Sequence, residues 1–173
     1  MIETVDVVVV GGGCMGTGIA MHLARRKAGR VVLLEKNTLA SGATGKSTAN
    51  IRQHYSHPTL ARMARKSLER FETFPERYGG DSGFVRSGYA NGVGPENRAT
   101  LEGIVAMNRS VEINAQVLEP ADLKGLFPPM DLRGVGAAVH EPDSGYADPA
   151  GTTMAFGAAA RRAGASVREG VEV

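Results

Sequence analysis

The chain has 173 residues, 42% of them hydrophobic and 22% charged, with a net charge of +2. That is long enough to bury a core and ordinary in composition, and too weakly charged to argue for a nucleic-acid or membrane partner. One cysteine cannot make an internal disulfide, which suits a reducing, cytoplasmic setting. The apolar start lacks a basic leader, carries Glu3 and Asp6 and breaks into glycines at Gly11. It reads as a strand and not as a secretion signal, and no apolar run approaches the length that spans a bilayer.

The Val-rich segment 5–10 predicts a buried parallel strand. Gly11, Gly13 and Gly16 follow in the spacing GxGxxG, and Met15, Ile19, Ala20, Leu23 and Ala24 then recur at helical intervals. Val31 to Leu34 predicts a second strand, ending at Glu35. Strand, glycine turn, helix, strand and terminal acid in this order form a dinucleotide-binding unit. The glycines permit a tight turn, close approach of main chain to a pyrophosphate, and close helix–strand packing, while the helix aims free N–H groups at the phosphates. An acid nineteen residues past Gly16 is placed to accept hydrogen bonds from an adenosine ribose, and it disfavours a 2′-phosphate, which argues against NADP. Cys14 reads as a small residue of the phosphate turn, without the activation a redox thiolate needs.

Ser41 to Asn50 is rich in small residues and hydroxyls and reads as a ligand-lining loop, for which a nicotinamide-type domain has no obvious use. Gly45-Lys46-Ser47 resembles the tail of a phosphate loop of nucleotide hydrolases. That motif needs a glycine where Ala40 stands and a strand directly before it, so the nucleoside-triphosphatase reading fails. Pro58 to Phe74 predicts an amphipathic helix with Leu60, Met63, Ala64, Ser67, Leu68 and Phe71 on its packed side and Arg62, Arg65, Lys66 and Arg70 on the other. His54 and His57 have no third residue at metal-ligand spacing, so no metal is expected.

From Gly79 the texture changes to glycine-punctuated β segments (83–94), a helix from Pro95 to about Arg109, an extended run 111–118, a short helix 121–126 and an extended run 134–140. Pro149 opens a helix to Gly164, and 166–173 predicts a strand. The expected fold class is α/β: a Rossmann-like nucleotide-binding domain whose doubly wound sheet is incomplete, with an inserted α+β portion of a substrate domain. The expected spans are 1–78 for the first part of the nucleotide domain, 79–145 for the insertion, and 146–173 where the nucleotide domain resumes.

Four separated blocks carry a family resemblance: Val7-Val-Val-Val-Gly-Gly-Gly-Cys-Met-Gly16; Leu33-Leu-Glu-Lys36 with Ser41-Gly-Ala-Thr-Gly-Lys-Ser47; Ile51-Arg-Gln-His-Tyr55; and Glu141-Pro-Asp-Ser-Gly-Tyr-Ala-Asp-Pro149 leading to Val171-Glu-Val173. Together they resemble the FAD-dependent glycine, sarcosine and D-amino-acid oxidase (DAO) family, and most closely its sarcosine oxidases, the β-subunit type included. Family members run to about twice this length, so the chain is expected to be their N-terminal half.

The resemblance implies FAD as cofactor, with its pyrophosphate on Gly11, Gly13, Cys14, Met15 and Gly16 and its adenosine ribose on Glu35 beside Lys36. Thr44, Gly45, Lys46 and Ser47 would meet the ribityl chain and flavin edge, and Val173 the adenine edge. It further implies that Arg52 binds the carboxylate of a small amine substrate, with His54 a candidate for the pocket and Tyr55 for its wall or for the core. A guanidinium holds a carboxylate by two parallel charge-assisted hydrogen bonds, and fixed orientation is what hydride transfer from carbon to flavin needs. The implied activity is FAD-dependent oxidation of the C–N bond of a small amino acid or N-methyl amino acid such as sarcosine, with oxygen or an electron-transfer partner as acceptor. Two alternatives stand beside it: a non-catalytic fragment or partner-dependent subunit of such an enzyme, and an NAD-dependent dehydrogenase.

Overall fold

The computed structural model describes residues 3–173. They divide into two packed units: one built from residues up to 49, 73–84 and 147–173, and a second from 50–72 and 85–146. Segment 50–72, counted with the nucleotide-binding span in the sequence, packs with residues 85–146.

In the first unit, β1 (Val7–Val10), α1 (Cys14–Arg25) and β2 (Val31–Glu35) follow one another as the glycine pattern predicts. A later helix, α6 (Pro149–Arg162), leads into β8 (Ser166–Glu169). The three strands form a parallel sheet in the order β1-β2-β8, with Val9 opposite Leu33 and Leu33 opposite Val167. This is α/β, Rossmann-like architecture, and α1 and α6 lie against each other over the sheet. Asp148 caps α6 by accepting a hydrogen bond from the Ala150 N–H at 2.9 Å, and Pro149 takes the first helical position, where its missing N–H costs nothing. Phe74, in the short helix α3 (Phe74–Tyr78), meets Tyr78 and Phe156 with ring centres 4.9 to 5.2 Å apart. This aromatic cluster closes the core on α6.

Three expectations for this unit change. The β1 valines are not uniformly buried: Val8 and Val10 are 50% and 64% exposed. Strand side chains alternate between faces; Val9 faces α1, so Val8 and Val10 look out from the opposite face of a strand paired on one edge only. The packed face of α1 runs through Thr17, Ala20, Met21 and Ala24, leaving Met15 and Ile19 exposed. Small residues let α6 come close, with the Phe156 ring against Gly18, and that rotates the buried stripe away from the larger side chains. The strand expected over 166–173 stops at Glu169, where Gly170 turns at φ +74° and the Val171 N–H bonds the Glu35 carbonyl at 2.9 Å.

The second unit holds the short antiparallel pair β3 (Asn50–Ile51) and β7 (Gly145–Tyr146), with Ile51 opposite Gly145. Its main sheet is antiparallel, β4 (Tyr89–Val93) and β5 (Gln116–Leu118) flanking β6 (Ala137–Glu141). Helices α2 (Pro58–Glu72), α4 (Arg98–Ser110) and α5 (Pro120–Leu126) belong to it. Its core gathers Ala61, Leu101, Val105, Ile113, Ala137 and Val139. The buried line of α2 passes through Leu68, as expected, and Ala61, one position from Leu60, so Leu60 and Met63 are exposed. Among the described residues no helix is long and apolar enough to cross a membrane.

Candidate functional site

The turn between β1 and α1 is possible only with glycine. Gly11 sits at φ +100°, which L side chains rarely adopt. A Cβ on Gly16 would lie 1.9 Å from the Gly11 carbonyl oxygen, so the first turn of α1 rests directly on the loop. The helix begins with no acidic residue in its first turn. No side chain of its own first turn therefore offsets its partial positive charge, which favours an anion.

Glu35, at the end of β2, reaches back across this turn. Its Oε2 accepts from the Gly12 N–H at 2.6 Å and its Oε1 from the Asn37 N–H at 2.9 Å. The Asn37 and Gly12 hydrogen bonds hold its carboxyl below the usual glutamate range, so it is ionised at neutral pH and able to accept further bonds.

Thr44, in a 3-10 turn (Thr44–Lys46), closes the other side: its Oγ1 accepts from the Cys14 N–H at 3.1 Å. The small-residue loop is thereby tied to the start of α1. Between these elements lies a cleft of about 620 Å³, lined by the main chain of Gly11 and Gly13 and by Glu35, Lys36, Thr44, Lys46 and Val173 among others. These seven were named from the sequence; Val10, Leu34, Asn37, Ser41, Gly42, Ala43 and Val171 complete the wall. The other expected contacts stand beside the cleft without lining it. Met15 is 78% exposed, Gly16 supports the turn, and Gly45 N–H closes on the Ala40 carbonyl at 2.9 Å. Ser47 Oγ accepts from the Ala49 N–H at 3.2 Å. Burial pushes the Cys14 thiol pKa up, the opposite of the activation a reactive thiolate requires.

The second unit carries Arg52. Its Nη1 donates to the His54 carbonyl at 2.5 Å, and its guanidinium lies 4.7 Å from the Tyr55 ring centre and 5.9 Å from that of Tyr89. Cation–π contact of this kind holds a guanidinium without neutralising it. Among the described residues no carboxylate stands within ion-pair distance of Arg52, although other arginines, Arg65 and Arg98 among them, are paired with glutamates. His54 is half-buried, its imidazole pKa lowered by burial and then by the Arg52 charge, and the Asn108 amide lies 3.4 Å from its ring. Glu141, fully buried at the end of β6, received no role from the sequence. Its place was legible in strand parity, since positions 137, 139 and 141 share one buried face.

Residues 6–173 match the family described as FAD dependent oxidoreductase, DAO. The chain belongs to that family. It is 31% identical to mitochondrial dimethylglycine dehydrogenase of Homo sapiens over 170 residues, which is 96% of this chain and 19% of that protein. With the sarcosine oxidase subunit beta of an Arthrobacter species it shares 30% over 183 residues, 99% of this chain and 44% of the other. The crystal structure of L-proline dehydrogenase from P. horikoshii superposes with a TM-score of 0.88 at 29% identity, covering 100% of this chain and 46% of that one. The chain thus spans between about a fifth and just under half the length of these relatives.

The family's dinucleotide is FAD, and the cleft fits it on its own chemistry. The Gly11–Gly16 turn is a cradle that side chains would fill, the first turn of the helix carries no acidic residue, Glu35 is an ionised acceptor, and Lys36 and Lys46 supply cationic donors. Membership sets aside the nicotinamide alternative. Residues 41–44 and Lys46 of the small-residue loop, of no use to a nicotinamide domain, form part of the wall of the cleft.

Proposed function

We propose that this chain carries the FAD-binding and substrate-carboxylate machinery of an enzyme that oxidises the C–N bond of a small amino acid or N-methyl amino acid, sarcosine-like in size. Gly11, Gly13, Cys14, Met15 and Gly16 would hold the pyrophosphate, Glu35 and Lys36 the adenosine ribose, Thr44, Gly45, Lys46 and Ser47 the ribityl side, and Val173 the adenine edge. Bound FAD supplies a two-electron acceptor for the hydride leaving carbon. The carbon–nitrogen bond becomes an imine, which water hydrolyses.

One observation carries the substrate reading: a guanidinium with no carboxylate in ion-pair distance among the described residues, stacked on Tyr55 and steadied by the His54 carbonyl. A guanidinium held this way without an ion pair is ready to take a substrate carboxylate in a two-point grip. The test compares sarcosine with its uncharged amide on the full FAD-loaded protein. R52A is expected to raise KM for sarcosine by about 100-fold and to leave the amide within about threefold. Equal changes for both substrates would refute the role.

A second reading, a subunit that needs a partner, is favoured by the exposed side chain of Val8 and by one relative being named as a β subunit. Measurable amine oxidation by the 173-residue chain alone would exclude it. The electron acceptor, oxygen or a redox partner, belongs to the same proposal. A cytoplasmic location is supported by the cysteine content.

A further inference from the structure

Glu141 is completely buried, yet its Oε1 has no hydrogen-bond partner among the described residues. A carboxyl group in such a place is costly, and packing alone would be served better by an apolar residue. What it holds is specific. Oε2 accepts from the Gln53 N–H at 2.8 Å and from the Ser144 hydroxyl at 2.9 Å, and the His54 N–H adds a further main-chain contact. Gln53 and His54 are the two residues that follow Arg52. The preceding residue, Ile51, is fixed by pairing with Gly145 in β3–β7. Arg52 is therefore flanked by anchored main chain on both sides, and the carbonyl that its Nη1 grips belongs to His54. On the β4–β6 ladder Glu141 also stands opposite Tyr89, whose ring lies near the guanidinium.

We infer that Glu141 is a positioning residue for Arg52: from the end of β6 it ties down the Gln53–His54 main chain and so fixes where the guanidinium is presented. This inference rests on the proposed role of Arg52 and adds the device that orients it. Loss of the carboxyl group would free the His54 carbonyl and let the arginine swing, so binding of a carboxylate would weaken while unrelated steps continued.

The experiment uses the full FAD-loaded protein and variants E141A, E141L and E141Q, with R52A alongside. Affinity for acetate is read by calorimetry, and KM and kcat are measured for sarcosine and its amide. For E141A and E141L we expect acetate affinity and sarcosine KM to worsen by about 10- to 100-fold, with FAD content and both kcat and KM for the amide within about twofold. E141Q keeps an oxygen for the Gln53 N–H and is expected to recover to within about threefold of wild type.

Unchanged acetate affinity in E141A or E141L overturns the inference. So does a uniform loss across FAD content and both substrates, or failure of both variants to fold, because Glu141 would then serve the fold and not Arg52. If R52A itself fails to discriminate sarcosine from its amide, the substrate reading is at fault. If R52A discriminates and the Glu141 variants do not, only the positioning role falls.

Discussion

Gly16→Ala is the sharpest probe of the nucleotide turn. The added methyl carbon would sit 1.9 Å from the Gly11 carbonyl oxygen, where real side-chain carbons essentially never approach below 3.0 Å. The obstacle is main chain and cannot rotate aside, so α1 and the loop must part by about 1 Å. Overpacking of this kind costs about 1 to 3 kcal/mol. For a chain of this size that lowers Tm by about 2 to 12 °C. Gly103→Ala is the control: it lies inside α4, and nothing stands within 4 Å of the added carbon. There alanine is expected to stabilise by about 0.5 to 1 kcal/mol, by helix propensity. Thermal unfolding followed by circular dichroism reads both, and flavin absorbance retained after gel filtration reads the cradle. Should Gly16→Ala melt with the Gly103→Ala protein and keep its flavin, the close-approach reasoning is refuted.

Removing the acceptors at position 35 with Glu35→Ala is expected to weaken FAD binding by about 10- to 100-fold, since hydrogen bonds to a charged group contribute about 1.5 to 3 kcal/mol; calorimetry within twofold of wild type would contradict this. Asp148→Ala removes the cap of α6 and should cost about 1 kcal/mol, measured as a shift in urea midpoint at unchanged slope. Burial raises the Glu141 carboxyl above its ordinary value of 4.5, so the folded state holds a proton that the unfolded state releases. The resulting stability is present in full below about pH 4.5 and is lost as pH rises through the raised value. His54, lowered by burial and by Arg52, acts with the opposite sign, its stability lost as pH falls below about 6.5. Comparing wild type with E141Q at each pH cancels the histidine. The wild-type protein should lose stability relative to E141Q as pH rises, and parallel curves would deny the shift.

The nucleotide half was readable because its signals are local. A strand, three glycines at fixed spacing, a helix and a terminal acid lie within thirty-five residues, and each has one geometric use. Faces were harder to read. Met15 and Ile19 outweigh Thr17 and Ala20 in hydrophobicity, yet the helix buries the small residues because α6 must come close. The same bias moved the expected stripe of α2 from Ala61 to Leu60 and Met63. The two-residue strands β3 and β7 carry no periodicity at all, so the anchoring of Ile51 by Gly145 was invisible. Arg52 was singled out through its motif. Glu141 was quoted only as part of a block, because its partner amides lie 88 residues away in sequence.

Glu35 has a consequence for anyone who would re-engineer this cleft. The carboxylate proposed to read the ribose is also the brace that ties the end of β2 to the Gly12 main chain. Recognition and support reside in one side chain, so they cannot be tuned separately. Exchanging it for arginine, the usual route toward a 2′-phosphate, would bring a donor to a place that needs an acceptor and leave the Gly12 and Asn37 amides unserved. Cofactor preference in this chain is thus locked to the integrity of its own glycine turn, and any redesign must first supply a second acceptor for those amides.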